Sequence, residues 1–462
     1  MNRGGAATRG SWQLALLLVW AIVLGVAAPR LAPAGNPRPS RDAVVKKMQP
    51  YDGEHQAGVD TSTLTGKLMA GYQGWFTAAG DGSGLGWQHY SSAGEFRPGK
   101  CNIELWPDVS ELDGDEKFAT PFKHADGSPA PVFSSDVQKT VLRHFRWMRE
   151  YGIDGVFVQR FSVSTFSPNS LQHCNQVLMS CRRGANENGR CYAVMYDLSG
   201  LGPGGIDRTI EDWKLLVDRM RIGHDERDHG YLHHQGHPVV AVWGIGFNDH
   251  RRYTLEECGK LIAFLKDDPT YGGNTVMVGV PTGWRTLDRD TEKSDLIDKI
   301  VLKADIVSPW TVGRYDSPAG ADRHAKHDWQ PDVKWCQEHK KEYLPVVFPG
   351  FSWHNMRPSS PFNQIPRLKG EFLWRQFVDV KKAGATMVYQ AMFDEMDEGT
   401  AIFKITNDPP AGESRFVTPE GLPTDQYLWL AGQGARLLRG EIEPSEHVPD
   451  RPPAKPSATK SE

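Results

Sequence analysis

Four carboxylates stand within five positions near the end of the chain: Asp394, Glu395, Asp397 and Glu398, in the stretch YQAMFDEMDEGTAIF. Like charges this close repel one another, so their grouping between an apolar run and Gly399 needs a chemical reason. Within a strand, residues three apart point to opposite faces. If the chain turns helically after Glu395, the side chains of Glu395 and Glu398 share a face and can flank a common ligand. Two carboxylates across a glycosidic bond do acid and base work: one protonates the leaving oxygen, the other serves as base or nucleophile. Such a pair also drives its own pKa values apart.

Other chemistries fit less well. The spacing of Asp394, Asp397 and Glu398 does not match the twelve-residue calcium loop. Histidines gather in HDERDHGYLHHQGH (His224 to His237), but without zinc-ligand spacing, and no HExxH occurs. That segment reads as a solvated connection on the side opposite the expected cleft. No GxSxG elbow is present for a serine hydrolase. An acidic surface loop is the bland alternative for DEMDEG. No metal and no cofactor is expected.

The elements that position these residues follow one rhythm. Eight short apolar runs alternate with longer segments of helical period: LMAGYQGWF, GVFVQRF, CYAVMYDLSG, PVVAVWGIGF, TVMVGVPTGW, DIVSPWTVGRY, YLPVVFPGFSWHN and TMVYQAMFDE. SSDVQKTVLRHFRWMREYG shows the helical pattern clearly, with Ser134 or Ser135 expected to cap it and Gly152 to end it. Continuous apolar strands alternating with helices imply a parallel sheet covered on both faces. Eight such units, with no GxGxxG after the first or second strand and no GxxxxGK[ST], favour a closed (β/α)8 TIM barrel as a single catalytic domain.

Active sites of such barrels lie at the C-terminal ends of the strands. Aromatics, amides and carboxylates collect at those ends here, with Glu395 at the last position of the eighth strand. Tyr72, Trp75, Arg160, Asp197, Trp310, Tyr315, Trp353, His354, Asn355 and Asp394 are the candidates for substrate contact. Aromatic platforms and hydrogen-bonding side chains are what a hydroxyl-rich ligand requires.

The bulk numbers agree with an enzyme of this size. The chain has 462 residues, 39% hydrophobic and 24% charged, with fifteen Trp and thirteen Tyr. Its net charge is −4 and no basic block lies outside the termini, so nucleic acid is not an expected partner. Residues 1–34 read as a signal peptide or, less favoured, an N-terminal anchor that would be the sole membrane tether. The run from Leu14 to Ala28 follows two arginines, Arg3 and Arg9, and is short against the roughly twenty residues of a span. The mature protein is expected to be periplasmic or secreted. Residues 35–60 read as a linker, 61–442 as the barrel domain and 443–462 as a disordered, Pro- and charge-rich tail. Among six cysteines, Cys174 with Cys181 or Cys191 is the expected local disulfide.

MFDEMDEGTAI resembles the carboxylate motif (aromatic, Asn, Glu, Trp, His, Glu, Gly, Thr) of glycoside hydrolase family 99 and the related WbsX-like proteins. GYQGWF followed by WQHY is similar to that family's first strand and its Trp-x-His-aromatic element, which adds Trp87 and His89 to the candidates. ELWPDVSEL and SSDVQKTVLRHFRWMREYGIDGVFVQRF resemble its Pro-Glu-Leu loop and second βα unit, so the similarity runs in order over most of residues 67 to 403. The resemblance implies a retaining, endo-acting α-mannosidase-like enzyme on a (β/α)8 barrel. It gives Glu395 the base role toward the sugar 2-hydroxyl, through a 1,2-anhydro intermediate, and Glu398 the general-acid role. Asp394, Met396 and Asp397 depart from the motif's Asn, Trp and His, and the two extra carboxylates would raise neighbouring pKa values. The expected function is cleavage of a glycosidic bond in a polysaccharide or glycan. The rival is a non-catalytic carbohydrate-binding barrel.

Overall fold

All eight apolar runs form strands, in order, in a computed structural model that describes residues 39–452. They are Leu68–Tyr72, Gly155–Phe161, Cys191–Asp197, His237–Trp243, Thr275–Val280, Ile306–Pro309, a seventh in two pieces (Glu342–Tyr343 and Val346–Val347), and Val388–Gln390. Every neighbouring pair among them is parallel. The seventh strand closes the ring. Its first piece pairs with the sixth strand and its second with the eighth. The break falls at Leu344-Pro345, because proline has no N–H to give to a ladder. The Pro345 carbonyl still accepts from Tyr389 N at 2.9 Å, while Leu344 N donates to Val307 O at 2.9 Å.

A helix follows each strand, from Gln138–Tyr151 after the first to Gln426–Leu438 after the eighth. The structure is thus a (β/α)8 barrel with a long insertion between its first strand and first helix. Gly152 ends that helix in the left-handed conformation at φ 78°. The helix starts later than the serines suggest, at Gln138 after Val137. Ser134 Oγ instead accepts from Asp136 N at 3.1 Å and donates to Asp81 at 2.7 Å, tying the insertion to the helix entry.

Alternation along the strands sorts side chains between lumen and helix layer. Phe157, Gln159 and Tyr389 share the lumen, with the Phe157 and Tyr389 rings 5.7 Å apart and Gln159 Nε2 donating to the Tyr389 hydroxyl at 3.0 Å. Arg160, next along, points out to the helices.

Several expectations about the periphery meet a different arrangement. Of the stretch read as a linker, Arg41–Lys46 is a helix capped by Ser40, with Val44, Met48 and Tyr51 buried. Within the region read as a tail, Ser445 O accepts from Trp374 Nε1 at 2.9 Å and Arg451 pairs with Asp425 at 2.7 Å. No cysteine among the described residues is in a disulfide. Cys174 and Cys181 sit seven residues apart on the helix Pro168–Asn188, about 10 Å of rise and beyond disulfide reach. Cys191 lies on the third strand, 3.4 Å from Met69 Sδ. The histidine segment is not a free loop either. His233–His234 pairs antiparallel with the start of the fourth strand, and the buried His234 binds Glu342 and accepts from Leu64 N at 3.0 Å. The predicted signal or anchor, residues 1–34, and the end of the tail lie outside the described residues.

Candidate active site

The carboxylate stretch leaves the eighth strand at Gln390, so Glu395 stands five residues beyond the strand rather than at its last position. Residues 396–399 form a turn, with Gly399 N donating to Met396 O at 3.2 Å. Gly399 takes φ 66°, and a Cβ there would come within 3.1 Å of Ser352 N, a close approach that only glycine makes at such a φ without strain. Ser352 N donates to Glu398 O at 3.0 Å, and Arg367 Nη2 donates to the carbonyls of Gly399 and Ala401 at 2.8 and 2.7 Å. The turn is therefore fixed from the segment after the seventh strand.

Each carboxylate of the turn has its own surroundings. Asp394 is fully buried and accepts backbone N–H groups from Gln73 and Gly74, both at 2.8 Å. Glu395, 5% exposed, accepts from Gln73 Nε2 at 2.9 Å on one oxygen and from Thr400 Oγ1 at 3.0 Å on the other. Asp397 lies 3.0 Å from His89 Nδ1 through one oxygen, while its buried Oδ1 has no partner among the described residues. His89 stacks on Trp75 with ring centroids 3.6 Å apart and an interplanar angle of 5°. Glu398 is the half-buried member, facing the attractive charge of Arg357.

Burial raises all the resolved pKa values here. It pushes Asp394 to about 7 against its two N–H donors and Glu398 to about 8, with the Asp397 charge adding to the rise. Glu395 is raised well above the usual carboxylate range by burial and then by the charges of Glu398 and Asp397. Two such neighbours hold protons in common. The two donors on Glu395 favour its ionised form, whereas Glu398 has no such pair of donors among its described contacts.

The structure brings Trp75, His89, Asp394, Glu395, Asp397 and Glu398 together. Trp310 borders the same lumen mouth, its ring 5.4 Å from Trp243 and 6.3 Å from Tyr389. Asp197 ends the third strand, accepts from Ser199 N at 2.7 Å, and is pushed up by burial to about 6 while Arg251 opposes the shift. Trp353 is nearly buried under the Arg357 guanidinium, 4.4 Å from its ring.

Other expected contacts have different jobs. Tyr72 turns outward, its hydroxyl 2.9 Å from His144 Nδ1 on the first helix. Arg160, 2% exposed, makes a bidentate pair with Asp212 at 2.6 and 2.7 Å and reaches Asn175 at 2.8 Å, all in the helix layer. Tyr315 donates to Gln376 at 2.9 Å within an aromatic cluster of Phe348 and Phe372. Trp87 packs on Phe96 at 5.2 Å. His354 Nδ1 lies 2.8 Å from Ser360 O, and Asn355 Nδ2 donates to Ile103 O and Arg415 O. These five residues after Arg160 and Tyr72, namely Tyr315, Trp87, His354 and Asn355 together with the covered Trp353, hold the walls rather than the carboxylates.

Three functional side chains escaped the sequence reading. Gln73 is signalled by strand parity, since Met69, Gly71 and Gln73 share the lumen face that Tyr72 leaves. Glu104, from the long insertion, is fully buried, accepts from Ser352 Oγ at 2.5 Å and from Asn355 N, and is pushed up to about 7 by burial. It opens the ELWPDVSEL stretch, but no periodicity or spacing there marks it as a site residue. Arg357 sits in an irregular segment with no periodic signal. The one acidic group of metal-ligand spacing among the described residues is Asp113, Asp115 and Glu116, away from this site. Lys139 and Arg143 already pair with it.

No family model and no curated protein matches the chain. Solved structures do match. The family 99 endo-α-mannosidase of Bacteroides thetaiotaomicron, in complex with BIS-TRIS-propane, superposes with TM-score 0.60 at 14% identity over 82% of this chain and 99% of that one. A second structure of that endo-α-mannosidase gives TM-score 0.57 and 17% identity over the same shares. A glycoside hydrolase-like protein gives TM-score 0.50 and 13% identity over 84% and 98%. At these identities the likeness is one of fold.

Proposed function

We propose that this chain is an exported glycoside hydrolase that cleaves a glycosidic bond in a polysaccharide or glycan, with Glu398 as acid and Glu395 as base. The observation that carries the reading is the unequal environment of the two carboxylates at the C-terminal mouth of the barrel. Glu395 takes two donated hydrogen bonds, and Glu398 is held near a pKa of 8. An acid that keeps its proton at neutral pH, beside a base oriented by two donated hydrogen bonds, is the division of labour glycoside hydrolysis needs. Trp75, Trp310 and Trp243 supply apolar wall around it.

The finer reading is a retaining α-mannosidic reaction. Glu395 takes the proton of the sugar 2-hydroxyl as that oxygen bonds to the anomeric carbon. The bond to the leaving oxygen breaks, and Glu398 supplies its proton. Water then attacks the anomeric carbon while Glu398 takes its proton, the new ring opens, and Glu395 returns a proton to the 2-oxygen. The fold supports the choice of α-mannan as first substrate, since the matched Bacteroides structure is of an endo-α-mannosidase. Export rests on residues 1–34 alone, and mass analysis of the mature N-terminus tests it.

The functional test is hydrolysis of a panel of α-mannans and other bacterial and algal polysaccharides by wild type, Glu395→Gln and Glu398→Gln, with products read by mass. Wild-type cleavage lost in both folded variants is the expected result. Cleavage that survives both changes would place the chemistry elsewhere. A wild type that binds sugars and cleaves none would favour the non-catalytic barrel.

A further inference from the structure

We propose that Gln73 both positions Glu395 and contacts the substrate: its amide N–H holds the Glu395 carboxylate while its carbonyl oxygen accepts from an unsubstituted hydroxyl of the sugar. The inference rests on Glu395 being the base. Gln73 is the first residue past the opening strand, 8% exposed, and its backbone is pinned by Asp394. Gly74, at φ 60°, gives its own N–H to the other Asp394 oxygen, and a Cβ there would meet Val177 at 2.4 Å. This backbone has no freedom to drift.

With Nε2 spent on Glu395 at 2.9 Å, the planar amide sends Oε1 in a diverging direction. A flipped amide would set its oxygen against an ionised carboxylate, so this orientation is the one that serves Glu395 as base. No donor among the described residues reaches Oε1, although it is buried. Gln159 Oε1 and Asp397 Oδ1 are buried acceptors without partners in the same lumen mouth. Three unpartnered acceptors call for a ligand rich in O–H donors. A sugar acylated or alkylated at the hydroxyl read by Gln73 would leave the carbonyl unpaired and would be rejected.

Gln73 also controls ionisation. The groups facing Glu395 are Asp394, Asp397, Glu398 and Thr400 on its own segment, Gln73 just past the first strand, and Tyr389 from the eighth. Beyond them, Arg357 faces Glu398, and His89 and Glu104 face Asp397. Of these, only Gln73 and Thr400 donate to Glu395 among the described contacts. Losing one donor to a charged acceptor moves a carboxylate upward by about one unit or more.

The test uses full-length protein with ¹³C-carboxyl-labelled glutamate, Glu395 being assigned as the resonance absent in Glu395→Gln. In Gln73→Leu the Glu395 titration is expected to move up by about one unit; an unmoved titration overturns the proposal, whatever the substrate. The second arm is reducing-end release from α-mannan across pH. Gln73→Leu is expected to lose about ten- to a hundredfold in kcat/KM, with its acid limb shifted to higher pH. Gln73→Glu is expected to work only on the acid side, where its added carboxyl is protonated and can still donate. A loss equal at every pH, in kcat alone, would be structural and would overturn it. If Glu395→Gln is inert while Gln73→Leu matches wild type, this proposal falls and the catalytic reading stands. If Glu395→Gln cleaves normally, the catalytic reading falls first.

Discussion

Asp394→Asn separates two forces that act on one carboxyl. Burial opposes its charge, and two backbone N–H donors at 2.8 Å favour it. Burial wins, with the pKa raised from 3.8 to about 7. A carboxyl raised by folding holds its proton in the native state where the unfolded chain has lost it. Its stabilising contribution is therefore complete below pH 3.8 and is lost as pH rises through about 7. At 1.36 kcal/mol per unit, roughly three units amount to ~4 kcal/mol across that window. Asp394→Asn cannot titrate. It also turns an N–H toward a backbone N–H, a cost of about 1–3 kcal/mol that does not depend on pH. The variant should be less stable than wild type at pH 4 and more stable at pH 8, with the curves crossing near the middle. Urea unfolding of both proteins at unit pH steps reads the difference directly, and the other titrating groups largely cancel in it. Parallel stability curves would refute the reasoning, for they would mean that the two N–H donors outweigh burial and keep Asp394 ionised throughout.

Two other outcomes follow from groups outside the carboxylate turn. Arg160→Leu strands Asp212, which among the described residues keeps the Tyr196 hydroxyl at 2.7 Å, and should destabilise the fold by about 3–5 kcal/mol. Activity per folded molecule should change little, so a selective fall in kcat without lost stability would return Arg160 to the cleft. Denatured, unreduced protein should titrate six thiols with a chromogenic disulfide, in keeping with the free cysteines; four would restore the bridge expected on sequence grounds.

Much of this architecture is written in local pattern. Runs such as TVMVGV and CYAVMYD are apolar throughout because both faces of a parallel barrel strand are covered, and their alternation with helical segments already implies eight βα units. The crowding of Asp394, Glu395, Asp397 and Glu398 was legible too, because like charges gathered at a strand exit stand out against any packing pattern. Strand parity even separates Gln73 from Tyr72 and Gln159 from Arg160, once the strand ends are known. What tertiary structure decided is non-local. Proximity to a strand's end said nothing of which layer Arg160 or Tyr315 would face; partners on distant helices, Asp212 and Gln376, settled that. Glu104 reaches the site from an irregular part of the long insertion, and Ser352 and Asn355 meet it from some 250 residues away. Sequence periodicity reports the faces of one element at a time, whereas the acid–base asymmetry of Glu395 and Glu398 comes from donors and burial that several elements supply together.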